Sequence, residues 1–330
     1  MSPKSPDPAA RPYQPSDEQM RLLPDVSGNA INGLGETAVR RPSPIYWHHH
    51  AKIAHGPVMK WMLERTSREQ PSVDRLHEKF GGRGPAEPAP LAQSRIENTP
   101  KDWTAQVKAF AVTNEADLVG IARIDPNWVF EGYELSHKWI IVLGITMDQL
   151  RLAAVWPEAA SVEEVMAGYN RGDRAAKALA DHIRGQGWEA EGHGGPIAGP
   201  LTMIPAALAC GFGELGKHGS IINRTYGSSF RLAAVTTSLP LVADAPDIFG
   251  ADDFCASCQV CARACPPQAI AHDKQTVRGT RKWYVDFDKC VPYFNETYGC
   301  GICIAVCPWS RPGTAPRLAE KMSRRKNEKA

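Results

Sequence analysis

The sequence predicts a mixed core of helices and strands, α/β or α+β in class, followed by a small cysteine-rich module. Three observations carry this. The short apolar runs 118–124, 139–145 and 231–237 have strand length and are separated by stretches of helical periodicity. Eight of the nine cysteines fall between Cys255 and Cys307. The glycine-rich loops 192–200 and 211–219 interrupt the core without spelling G-x-G-x-x-G, so no dinucleotide fingerprint is present.

In chain order, the proline-rich stretch 1–25 reads as a mobile or surface-wrapping arm. Ile53, Val58, Met59, Trp61, Met62 and Leu63 predict a helix within 45–80. His48, His49 and His50 invite a metal reading, but adjacent side chains diverge on either a helix or a strand, so one ion rarely takes all three. A solvent or cofactor face suits them better. Gly and Pro mark 80–90 as a linker. A helix over 107–113 leads into the first strand, and the run 139–145 is apolar enough to be buried on both faces. Ser161-Val-Glu-Glu164 reads as a capping box. It opens a helix with Val162, Val165, Met166, Leu179, Ala180 and Ile183 on its apolar side, bent or split at Gly172 and ended by Gly185 and Gly187. A short strand over 188–190 and a helix over 203–210 follow, with Cys210 a small buried apolar residue. The basic tail 317–330 reads as a solvated end. The resulting units are an arm and helical region wrapping the core (1–100), the core (101–245), the cysteine module (246–312) and the tail (313–330).

The module reads Cys255-Ala-Ser-Cys258-Gln-Val-Cys261-Ala-Arg-Ala-Cys265-Pro266, the bacterial C-x2-C-x2-C-x3-C-P spacing for a [4Fe–4S] cluster. In two-cluster proteins the fourth cysteine of such a run ligates the other cluster. Cys258, Cys261, Cys265 and Pro266 recur 42 residues later as Cys300, Cys303, Cys307 and Pro308. The repeat breaks at Thr297, which stands where Cys255 would recur, and Cys290 is the replacement. Cys255, Cys258, Cys261 and Cys307 are therefore assigned to one cluster, and Cys265, Cys290, Cys300 and Cys303 to the other. Zinc favours paired C-x2-C ligands in one tetrahedron, and disulfides leave the matched prolines unexplained.

Composition bounds the rest. The chain has 330 residues, is 43% hydrophobic and carries a net charge of +2, which makes no general case for nucleic acid or a membrane surface. It has no apolar run of about 18 residues. Arg40-Arg41 is followed by Pro-Ser-Pro-Ile-Tyr-Trp-His-His-His rather than by an apolar segment, which argues against a twin-arginine export signal. A cytoplasmic location is expected, and a reducing compartment suits thiolate-bound clusters.

Three stretches of the core and module carry a family resemblance. They are Ala116-Asp-Leu-Val-Gly-Ile-Ala-Arg-Ile-Asp-Pro-Asn-Trp-Val129, Phe212-Gly-Glu-Leu-Gly-Lys-His-Gly219 with Tyr226-Gly227 and Phe230-Arg-Leu-Ala-Ala-Val-Thr-Thr237, and Lys282-Trp-Tyr-Val-Asp-Phe-Asp-Lys-Cys290. Together with the cluster motif they resemble the corrinoid-dependent reductases over roughly residues 100–312, and the reductive dehalogenase branch in particular. Epoxyqueuosine reductases are a related branch. The resemblance implies a nitroreductase-like core that buries a base-off cobalamin. The D-x-H-x-x-G motif of proteins that supply a histidine to cobalt is absent. Ser228-Ser229 replaces a Pro-Arg pair of the family, and the loop 193–200 is longer than its usual counterpart.

The resemblance also implies site residues. Tyr169 and Arg231 fall on the family's tyrosine and basic pair. A free tyrosine is a weak acid with a pKa of about 10, and a nearby cation eases proton donation. His193, Gly213, Asn223, Arg224 and Tyr226 are placed toward the corrinoid, and Trp283 and Tyr284 toward shielding a cluster or the pocket. The implied activity is replacement of a halogen by hydrogen on a small organohalide, with electrons from an external ferredoxin or flavodoxin and a proton from Tyr169. Two other readings stand beside it. One is an epoxyqueuosine-reductase-like enzyme acting on tRNA, although that branch carries aspartate at the Tyr169 position. The other is a non-enzymatic iron–sulfur electron carrier or redox sensor.

Overall fold

The computed structural model describes residues 13–73, 75, 87–155, 158–197 and 199–327. The start of the arm 1–25 and most of the linker 80–90 lie outside the described residues. The main elements are helices α1 (Gly56–Glu69) and α2 (Pro100–Thr113), strands β1 (Leu118–Arg123) and β2 (Trp139–Thr146), helices α3 (Gln149–Ala153) and α4 (Ala160–Gly185), strand β3 (Ala190–His193), helix α5 (Met203–Ala209), and strands β4 (Glu214–Leu215), β5 (Ile221–Ile222) and β6 (Phe230–Thr237). The cysteine module adds α6 (Ala251–Ser257), α7 (Val260–Ala264), the hairpin β7 (Gln275–Val277) and β8 (Thr280–Lys282), α8 (Phe287–Glu296), α9 (Ile302–Ala305) and α10 (Ala315–Asn327).

The central sheet has the order β1-β2-β6-β3, and every neighbouring pair in it is antiparallel. This settles the class toward α+β. The strand–helix alternation that suggested α/β has a real source, because β2, α4 and β3 form a crossover between two parallel strands. β6 is inserted between them, antiparallel to both, which splits the unit. Side chains alternate across the sheet. Ile121, Ile141, Leu143, Ile145, Ala233 and Val235 meet α2 and α4 on one face. Ala122, Ile140, Val142, Phe230 and Ala234 meet α5 on the other. With both faces covered, β2 reads as an unbroken apolar run.

Helix α2 shows why its residues form a helix. Thr99 caps it by accepting the Asp102 N–H at 3.1 Å, Pro100 occupies the first turn, and Trp103, Val107 and Ala111 make one buried stripe. Helix α4 differs from expectation at two points. Ser161 does not cap it; the cap is Ala159 without a side-chain bond, and Ser161 is buried in the first turn. Glu164 instead accepts the Asp148 N–H at 2.8 Å and pairs with Arg151. Nor does Gly172 split the helix, which runs unbroken for 26 residues. A Cβ at Gly172 would sit 3.1 Å from that of Ala233, and one at Gly168 would sit 3.2 Å from the Arg231 side chain. The two glycines, one turn apart, let β6 lie close beneath the helix.

The module is held to the core by buried polar groups. The Glu214 carboxylate accepts the N–H groups of Phe249, Gly250, Ala251 and Asp252 at 2.8, 2.7, 2.9 and 3.3 Å. It thereby caps α6 from a distance, since Gly250 has no side chain to do so. Glu214→Ala leaves those donors unpaired and is expected to lower unfolding free energy by about 3 kcal/mol. A loss below about 1 kcal/mol in urea melts would contradict the cap. The N-terminal segment packs on α8: the Gln19 amide donates to Pro292 O at 3.0 Å and accepts from Asn295 at 2.9 Å. In the tail, Ala315, Ala319 and Met322 are buried against Phe249 and Trp309. The tail helix therefore packs an apolar face on the module, while Arg317, Lys321, Arg324 and Arg325 stay exposed as the solvated basic face.

Arg40 and Arg41 serve the fold. Arg40 pairs with Glu36 at 2.7 Å, and Arg41 donates to the carbonyls of Val129, Phe130 and Tyr133.

Candidate redox site

The eight module cysteines lie near one another, and their electrostatic neighbours fall mainly into the two expected sets. Cys255 lies in α6, Cys258 closes it, Cys261 lies in α7, and Cys307 precedes the turn Pro308–Ser310. Cys255 faces Cys307, Cys261 and Cys258 electrostatically, and Cys307 faces Cys261 and Cys258. In the second set Cys290 of α8 faces Cys300 and Cys265, and Cys303 of α9 faces Cys300, Cys290, Cys261 and Cys265, so Cys303 also borders the first set. Thr297, at the broken repeat position, spends its hydroxyl on the Tyr293 carbonyl at 2.7 Å. None of the nine cysteines is in a disulfide, and among the described residues no group is arranged to hold a single metal ion.

Burial pushes Cys255, Cys290 and Cys307 up to about 12 and Cys261 and Cys300 up to about 11, and neighbouring sulfurs raise them further. Four such thiols cannot ionise together without a compensating cationic centre. Backbone N–H groups already point at the sulfurs: Ala269 at Cys265 (3.3 Å), Ile302 at Cys300, and Trp309 and Ser310 at Cys307. Buried, clustered, amide-solvated sulfurs fit iron–sulfur cubanes.

Beside the second group lies a cavity of about 250 Å³. Tyr169 of α4 and Arg231 of β6 line it, and the guanidinium carbon sits 5.1 Å from the tyrosine ring centroid. Among the described residues the buried Arg231 Nε has no hydrogen-bond partner. The wall nearest the module is Gly299-Cys300-Gly301, so the backbone there carries no bulk beyond the cysteine. Met62, Met147, Val165 and Ile304 supply apolar surface. The site therefore joins the Tyr169 phenol, a guanidinium whose Nε has no partner among the described residues, and a module cysteine around one apolar space. The enclosed volume matches a small organic molecule rather than a corrin macrocycle, so it defines the substrate side and the cluster side only.

Two cavity residues have no sequence signal. Trp47 and Tyr298 line it with φ of 57° and 56°, a strained conformation for aromatic residues. Arg65 holds Tyr298, its guanidinium 4.8 Å from the ring centroid and 2.9 Å from the hydroxyl.

The residues placed toward a cofactor do other work. His193 is buried in β3, with Nε2 2.9 Å from Thr236 Oγ1, which also meets His137 at 2.9 Å. Asn223 donates to Phe212 O and accepts the N–H groups of Thr225 and Tyr226, closing a turn. Arg224 pairs with Asp247 and covers Phe249. Gly213 has φ 122°, and a Cβ there would meet Ile222 O at 2.0 Å. Tyr226 is partly exposed. None of the five lines the cavity. Trp283 is buried beside Cys255 and Cys307, and Tyr284 bonds Asn29 and Asn32 of the N-terminal segment. Cys210 is buried, its thiol pushed up to about 12 by burial. Of the three histidines, His48 packs edge-on against Phe130, whereas His49 and His50 stack on each other at the exposed surface.

His218 gives the fold a pH-dependent stability. Its Nδ1 accepts the Ser220 N–H at 3.2 Å and its Nε2 lies 3.3 Å from Ser228 Oγ. Complete burial lowers its pKa to about 4, and burial also lowers those of His48, His55, His137 and His193. These groups are neutral in the fold, so stability is full above the ordinary histidine range near 6.5 and falls as pH drops toward 4. His218 alone accounts for on the order of 3 kcal/mol. His218→Gln keeps a donor and an acceptor without ionising. It should lessen the fall in melting temperature between pH 7.5 and 5; an undiminished fall would rule His218 out as the source.

The likenesses to known proteins agree with this geometry. A 4Fe-4S dicluster domain matches residues 254–310. A tetrachloroethene reductive dehalogenase of Sulfurospirillum multivorans is 30% identical over 259 residues, covering 64% of this chain and 51% of that protein. The catabolic reductive dehalogenase NpRdhA, in complex with 3-bromo-4-hydroxybenzoic acid, superposes with a TM-score of 0.68 at 25% identity, covering 92% of this chain and 46% of its own. An epoxyqueuosine reductase of Cyclobacterium marinum is 33% identical over 129 residues, 34% of this chain and 38% of that protein. By its module the chain is similar to iron–sulfur proteins of the 4Fe-4S dicluster kind. More particularly, over its core and module it is similar to the reductive dehalogenases, as its core motifs suggested. It spans about half the length of the curated relatives it matches. No helix among the described residues is long and apolar enough to cross a membrane.

Proposed function

We propose that the chain is an iron–sulfur- and cobalamin-dependent reductase that replaces a halogen by hydrogen on a small organohalide. The observation that supports this most is the cavity with Tyr169 and Arg231 on one side and Cys300 on the other. Cys255, Cys258, Cys261 and Cys307 hold one [4Fe–4S] cluster; Cys265, Cys290, Cys300 and Cys303 hold the second, next to the cavity. The core is of the nitroreductase-like, cobalamin-burying kind, and its corrinoid is base-off. When bound, cobalamin supplies the low-valent metal that delivers electrons to the carbon–halogen bond. Gly299 and Gly301 leave the backbone beside Cys300 without side-chain bulk on the cavity side.

The overall change consumes two electrons and one proton: the carbon–halogen bond breaks, halide leaves, and a carbon–hydrogen bond forms. Tyr169 gives the proton from its hydroxyl to that carbon. Arg231, stacked on the ring, stabilises the phenolate left behind until solvent reprotonates it. The apolar walls exclude water from the reacting carbon. The unpaired Arg231 cation favours a substrate with a hydroxyl or carboxylate, so a halogenated phenol or hydroxybenzoate is the class expected. A ferredoxin or flavodoxin reduces the cluster farther from the cavity, and the site of action is cytoplasmic.

The test is halide release from halogenated phenols and hydroxybenzoates by protein loaded with cobalamin and reduced chemically without oxygen. Release dependent on cobalamin is expected. No release from any, with reduction of an added epoxyqueuosine-containing tRNA instead, would move the chain to the tRNA-modifying branch.

A further inference from the structure

Lys217 lies between β4 and β5 and is wholly buried. Its ammonium donates to the His272 carbonyl at 2.9 Å and sits 4.7 Å from the Trp283 ring centroid. Asp252, which accepts the Trp283 indole N–H, is paired with Lys274. Glu214, three residues before Lys217, is used by four backbone donors. Among the described residues no carboxylate forms an ion pair with Lys217. A buried ammonium without a counter-charge is costly. The Trp283 ring that Lys217 covers is packed with Cys255 and Cys307 in one buried cluster, and the lysine charge acts on Cys261, all of the first cysteine group, whose sulfurs would turn anionic on ligating a cluster. The second group has the opposite neighbour, since the carboxylate of Asp286 acts on Cys290.

We propose that Lys217 is a positioning residue of the first cluster, a buried cation that raises that cluster's reduction potential and leaves the second unaffected. This rests on the reading that each cysteine group holds a cluster. The physical reason is that reduction adds negative charge to the cluster, and a fixed cation in a low-dielectric shell favours the reduced form.

The test is an EPR-monitored redox titration of the anaerobically purified full chain, with iron counted per chain. In Lys217→Met the reduced-to-oxidised ratio of one cluster at fixed potential should fall about tenfold, about 59 mV for a one-electron couple. The other cluster should not move, and Lys217→Arg should restore the wild-type value. Should Lys217→Met not retain both clusters, Lys217→Gln, which can still reach the His272 carbonyl, is expected to show the same single shift. Unchanged potentials, or equal shifts of both clusters, overturn the role of Lys217 while leaving the cluster assignment intact. Wild-type protein with fewer than two clusters overturns the assignment and the proposal with it.

Discussion

Tyr169→Phe is expected to cut halide release by roughly a hundredfold to ten-thousandfold, the usual range for a positioned acid, while iron and corrinoid content stay at wild-type levels. The substitution removes one oxygen and keeps the ring, so the stacking of Arg231 at 5.1 Å and the packing of α4 on β6 survive. The effect should fall on turnover and not on substrate binding, because the proton is needed only as the carbon–halogen bond breaks. Arg231→Met should show a smaller loss of turnover together with weaker binding of hydroxylated substrates. If Tyr169→Phe retains more than about a third of wild-type turnover, the proton comes from elsewhere.

Cys290→Ala has the second large effect expected. Cys290 is the one proposed ligand outside the repeat, placed on α8 and facing Cys300 and Cys265. Its loss leaves three sulfurs for the second cluster, so iron should fall by about half, from about eight per chain. One of the two reduced-cluster EPR signals should vanish with it, and halide release should be abolished because the missing cluster is the one beside the cavity. Thr297→Ala, at the position where the repeat alone would put a ligand, should change neither iron content nor spectrum. Full iron content in Cys290→Ala would refute the second ligand set.

What could be read from the sequence, and what could not, divides by range. The strands β1, β2 and β6 showed as apolar runs because both faces of the sheet are covered, and that pattern is local. The cysteine spacing showed because cluster ligation sets its own periodicity. The insertion of β6 between β2 and β3 did not show, since register across distant strands leaves no local mark. Ser161 and Glu164 have the right spacing for a capping box, but tertiary partners took both: the cavity holds Ser161, and Asp148 and Arg151 hold Glu164. Asn223 and Arg224 looked available for a ligand because their turn and their ion pair with Asp247 depend on backbone geometry. Trp47 and Tyr298, 251 residues apart by number, meet only in the folded cavity. One local cue for the cavity was present, since Gly299 and Gly301 flank Cys300 and leave that wall bare.

The most direct measurement is cofactor analysis of the full chain, expressed with added cobalamin and purified without oxygen, by iron determination, corrin absorption and EPR. About eight irons per chain with one base-off corrinoid is the predicted result. The same iron with no corrinoid retained after reconstitution would contradict a cobalamin reductase and leave an iron–sulfur electron carrier.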